Sequence, residues 1–174
     1  MLAFVSLFIY SCDDNDDVVQ VEDQDTIAQI RDVTGTFNAS NSFTITQGID
    51  IFNTDVVLVY RNVGGSSAVW QLIPKTYYLD DNVNFPANRE LDYNFDFTTQ
   101  DVEIRTEANF NQATQMTASE TSQFLVNQTF RIVLIPANAS KNANASQPVN
   151  FEDYNAVIKY YNLDESKIIK TKVN

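Results

Sequence analysis

From about residue 30 onward, apolar and polar positions alternate in short runs. Residues 42–51 read SFTITQGIDI, and Phe43, Ile45, Ile49 and Ile51 share one face, with Gln47 as the exception. Period-two alternation predicts a half-buried β-strand. Residues 55–61, DVVLVYR, are β-branched and aromatic without a break, which predicts a central strand apolar on both sides. Gly64-Gly65-Ser66-Ser67 predicts a turn. Residues 69–79, VWQLIPKTYYL, are strand-like, but Pro74 removes a ladder donor, so an edge, a bulge or a break is expected there. The cleanest alternation is Leu91, Tyr93, Phe95 and Phe97 against Asp92, Asn94 and Asp96. After a turn at residues 98–101, Val102 and Ile104 alternate with Glu103 and Arg105, predicting the second arm of a hairpin. In residues 127–136, NQTFRIVLIP, Phe130, Ile132 and Leu134 point one way and Arg131, Val133 and Ile135 the other. Roughly six or seven strands at this spacing predict a mainly β fold, an antiparallel β-sandwich, Ig-like or related.

Two segments break the pattern. Residues 137–148 are small and polar, which predicts a long loop. Residues 151–161, FEDYNAVIKYY, carry a helical stripe of Phe151, Tyr154, Val157, Ile158 and Tyr161. Asn150 is the expected N-cap, with Glu152 and Asp153 in the first turn. This C-terminal α-helix, about 150–161, is expected to pack on the sheet. Lys167, Lys170 and Lys172 are expected to form a solvated tail. Residues 30–174 are then one β-rich domain.

The N-terminal segment follows another logic. Residues 2–10 are uncharged and mostly apolar. A membrane-spanning helix needs roughly 20 residues, whereas the apolar part of a signal peptide needs about 7–15. No Lys or Arg precedes Leu2, so the translation start is expected upstream. Ile9-Tyr10-Ser11-Cys12 resembles a bacterial lipobox, although Tyr10 is bulkier than usual there. The resemblance implies a signal peptide over residues 1–11, cleavage before Cys12, and acylation of Cys12, with more than one chain giving stable anchoring. Asp13, Asp14, Asp16 and Asp17 follow at once, and residues 13–25 hold no Lys or Arg. Such a run repels itself and stays extended, so residues 12–29 read as a lipidated cysteine and an acidic tether. The acids also resemble the surface-export signal of Bacteroidetes lipoproteins. Asp25-Thr26-Ile27 resembles the O-glycosylation triplet of that phylum, which would place a glycan on Thr26.

Composition narrows the chemistry. Apolar residues make up 44% of the chain, with 12 Phe and 8 Tyr, enough for a packed core. A formal charge of −12 excludes nucleic acid as an expected partner and disfavours simple attraction to anionic lipid. There is no histidine, which removes the usual general base and the commonest zinc ligand. The lone cysteine cannot form an internal disulfide or a thiolate cluster. No cofactor and no catalytic residue are expected. The acids Asp80, Asp81, Asp92, Asp96, Asp101 and Glu103 could supply the carboxylate pair of a glycosidase, but strand-alternating acids are usually the wet face of a sheet. Asp80 and Asp81 are the candidate calcium ligands, against an Asx-rich turn. Trp70, Tyr77 and Tyr78, with Tyr93, are candidates for an aromatic glycan platform, against a role in the core.

Taken together, DVVLVYR, VWQLIPKTYYLDD, DYNFDFTTQDVEI, NQTFRIVLIPA and FEDYNAVIKYYNL resemble a family of small lipoproteins of Bacteroidetes, particularly flavobacteria. Members often carry a collagen-like Gly-Pro stretch after the cysteine; this chain has an Asp-rich spacer instead. The resemblance implies a protein held on the outer membrane through Cys12, at the cell surface or on the periplasmic face, with an envelope protein or a glycan as partner. It supplies no catalytic residues. The expected function is a non-catalytic binding or structural module, with glycan binding or carboxylate-dependent glycan hydrolysis as the alternative.

Overall fold

The computed structural model describes residues 27–139 and 148–173. They form two stacked sheets. The first runs β4-β3-β8-β1-β9 and the second β2-β7-β6-β5. In chain order the strands are β1 (Gln29–Gly35), β2 (Thr44–Gly48), β3 (Val56–Asn62), β4 (Trp70–Leu72), β5 (Lys75–Tyr78), β6 (Glu90–Phe97), β7 (Asp101–Ala108), β8 (Gln128–Ile135) and β9 (Ile169–Lys172). Two helices join them, α1 (Ala118–Phe124) and α2 (Tyr154–Tyr161). Every strand pair is antiparallel except β1 and β9, which run parallel. The fold is therefore a β-sandwich with a helix packed on it, as the alternation predicts.

The double-sided strands explain the layering. Val57 and Val59 of β3 and Phe130, Ile132 and Leu134 of β8 face Leu91, Tyr93, Val102 and Ile104 of the second sheet. Phe37 lies among them, edge-on to Tyr93 (5.9 Å) and Phe130 (5.8 Å). Leu58, Tyr60, Val133 and Ile135 leave the opposite face of the first sheet and pack with Tyr154 and Val157 of α2. Each such aliphatic side chain contributes roughly 1.5–3 kcal/mol by leaving water. The hairpin pairs Phe95 with Ile104 and Asp96 with Glu103, so one face is apolar and the other acidic, as predicted.

The structure also corrects the sequence reading. α2 begins at Tyr154 with Asp153 as its N-cap, not at Phe151 under Asn150. The Asn150 carboxamide instead accepts from the Glu152 N–H (3.0 Å), closing a turn ahead of the helix. The lysine-rich end is not wholly a free tail: residues 169–172 form β9 and pair with β1. At Pro74 the strand is broken. The Ile73–Pro74 peptide is cis, and the chain leaves the first sheet through β4 and enters the second through β5. Gly65 (φ 60°) supplies the left-handed backbone of the turn after β3. Of the long loop expected at 137–148, residues 140–147 lie outside the described residues. So do Cys12, Asp13, Asp14, Asp16, Asp17 and Thr26.

Candidate functional site

Three arginines are buried, Arg61, Arg89 and Arg131, each at most 6% exposed. A guanidinium inside a protein needs its charge and its five N–H donors met by partners. Two of the three have carboxylates.

Arg131 projects from β8 onto the α2 side. Its Nε and Nη2 donate to the two carboxylate oxygens of Asp32 on β1 (2.7 and 2.9 Å). Its Nη1 donates to Glu165 (2.6 Å) and to the Tyr154 hydroxyl (2.5 Å). The Trp70 ring lies 4.1 Å from the guanidinium carbon. Burial, reinforced by the bond to Glu165, pushes the Tyr154 phenol well above its ordinary range. Arg89 lies in front of β6 and forks onto Glu120 of α1 (2.7 and 2.9 Å). It also donates to the carbonyls of Asp80 (2.7 Å) and Gln115 (2.8 Å). The fork from Arg89, with the bonds to Thr117, holds the Glu120 carboxyl below the usual carboxylate range.

Arg61 differs. It is the last inward-facing residue of β3, continuing the face of Val57 and Val59. Its guanidinium lies 4.7 Å from the Tyr93 ring, 5.0 Å from Tyr77 and 5.4 Å from Phe124. Nε and Nη2 donate to the Gln128 carboxamide oxygen (3.1 and 2.7 Å), and Nη2 also donates to the Gln123 carbonyl (2.7 Å). Both acceptors are neutral. Among the described residues Arg61 has no carboxylate partner. Ring quadrupoles stabilise such a cation without neutralising it.

The local sequence accounts for this geometry. Thr117 and Glu120 form a reciprocal capping box that starts α1. The helix then delivers Phe124 and the Gln123 carbonyl to the end of the sandwich. Asn127 takes left-handed backbone (φ 49°), which Asn tolerates better than most residues, and turns the chain straight into β8. The Tyr93 hydroxyl donates to the Phe124 carbonyl, and burial raises its pKa far above the ordinary phenol value. Arg61 forms part of the wall of a half-open cleft of about 650 Å³. The other lining side chains include Asn62, Gln71, Tyr77, Ser122 and Asn127, and no acid or lysine is among them.

The candidates named from sequence do not converge. Trp70 packs with the α2 layer, Tyr77 with the core between the sheets, and Tyr78 is 77% exposed. Tyr77 alone reaches the Arg61 cleft, where its hydroxyl donates to Gln71. Asp80 gives its carbonyl to Arg89, and the Asp81 carboxylate accepts from the Asn88 N–H (3.3 Å). Among the described residues no group of three or more His, Cys, Asp or Glu side chains is placed to hold a metal ion. Asp92 is bonded to Thr76 and Asp96 to Arg105, on the outer face of the second sheet. Sequence reasoning missed Arg61 because it ends an apolar run and looks like the polar stop of a strand. Compared with known protein families, curated proteins and solved structures, the chain matches none.

Proposed function

We propose that this protein is a lipid-anchored outer-membrane module, displayed at the cell surface, that binds a partner and catalyses nothing. The observation that carries the reading is the junction at Cys12: an uncharged run, a lipobox-like Ile9-Tyr10-Ser11-Cys12, and then a run of acids. Acyl chains on Cys12 would hold the protein, and the acidic stretch would act as spacer and surface-export signal. The likeness to small Bacteroidetes lipoproteins points the same way.

The geometry supports binding over hydrolysis. Glycoside cleavage needs two carboxylates flanking a bound sugar. The acids of the hairpin instead stand on a solvated face, with Asp96 opposite Glu103 and Arg105 bridging Asp96 and Glu107. The lining residues of the Arg61 cleft offer no carboxylate.

Cys12→Ala is expected to move the protein from the membrane fraction to the soluble fraction, with loss of the acyl mass on intact-protein mass spectrometry. Protease treatment of intact cells should remove the wild-type domain. Membrane retention of the alanine variant would overturn the anchor, and resistance to shaving would place the domain on the periplasmic face.

A further inference from the structure

We propose that the cleft at Arg61 binds a single carboxylate carried on a hydroxylated ring, that is, an acidic sugar. The three buried arginines supply an internal comparison. Arg89 is paired with Glu120 and Arg131 with Asp32 and Glu165. Arg61 is as deeply buried, at 4% exposure, yet its partners are a carboxamide and a backbone carbonyl. In a chain with 23 acids and 11 bases, one buried cation has been left without an acid. A buried charge stays costly until it is paired, and here a cation without a carboxylate lines a cleft.

The walls specify the rest. Asn62, Gln71 and Asn127 offer carboxamides, and Ser122 a hydroxyl. Carboxamides both donate and accept, which matches ligand hydroxyls, since these do the same. Tyr77 gives the cleft an aromatic edge, held by its bond to Gln71. A guanidinium suits a carboxylate as a fork. One cation balances one negative charge, and the −12 chain repels polyanions. These conditions favour a monocarboxylate over phosphate. The proposal goes beyond the anchored-module reading, and its failure would leave the Cys12 fractionation result untouched.

The test is calorimetric titration of the full chain in non-ionic detergent with glucuronate, glucose and inorganic phosphate. Glucuronate should bind saturably, glucose roughly ten- to a hundredfold more weakly, the span of one charge-assisted pair, and phosphate should not compete. Arg61→Gln should erase the preference for glucuronate. Because that variant can also fail to fold, Gln71→Glu provides the second arm. It keeps the acceptor for Tyr77 and adds a negative charge to the cleft, so it should weaken glucuronate about tenfold while thermal unfolding stays near wild type. Equal binding of glucose and glucuronate, tighter binding of phosphate, undiminished glucuronate binding by Gln71→Glu, or no binding of glucuronate would each overturn the proposal.

Discussion

Arg131 carries its charge inside a cage of two carboxylates and two rings. Asp32 meets it through a two-pronged contact, itself only 8% exposed. Removing one member of such a pair strands the other. Asp32→Ala should therefore cost about 3–5 kcal/mol, read as a lowered urea midpoint with an unchanged slope. Replacing the whole cage by apolar residues should cost far less, since most of the penalty is the orphaned charge. Alternation along residues 127–136 made it legible that Arg131 leaves the opposite face from Ile132. It did not reveal Asp32 as the partner, because that pairing is set by the register of β1 on β8, 99 residues apart. The same holds for Arg61. Its rings come from β5, β6 and α1, and no local pattern in DVVLVYR announces them.

At the scale of elements, short helices were the hardest to read. α1 spans seven residues and buries only Phe124, too little to produce an apolar stripe. Its one sequence signal is Thr117 with Glu120 three residues later, the capping-box spacing. Glu120 serves both that box and Arg89, so the helix and the loop before β6 share one carboxylate. The folded Glu120 pKa lies below its unfolded value, and the unfolded chain therefore binds the extra proton first. The stability from this contact should be complete above the ordinary glutamate range, about 4.3, and fade as pH falls through the folded value. Acid titration of Glu120→Gln should show lower stability at neutral pH and a smaller further loss on acidification than wild type. For α2 the stripe was legible but the start was not. Asn150 and Asp153 can each cap, and the turn closed by Asn150 delays the helix until Asp153.

For the whole molecule, the two-layer plan followed from strands of two kinds. The hairpin β6–β7 alternates and so has one wet face, whereas β3 and β8 are apolar on both sides and must be covered twice. The second cover is α2. The sequence offered no sign of β9, since IKTK is short and basic and three of its four residues are exposed. Its place beside β1 is fixed by tertiary pairing. As an edge strand it exposes unpaired backbone, and Lys170 and Lys172 blunt that edge. Replacing both with Val should leave stability within about 0.5 kcal/mol yet produce concentration-dependent association in sedimentation velocity.

The position of β1 has a mechanical meaning. It is the first described strand, and it lies inside the sheet, zipped to β8 along seven residues and to β9 along four. A tug arriving through the chain ahead of Gln29, and resisted elsewhere on the domain, runs along the strand axis. It shears both ladders together instead of peeling one bond at a time. Were β1 at the rim, the same tug would unzip it stepwise. A domain held by its leading end, in flow or against a bound surface, would thus be gripped at a strand paired on both sides.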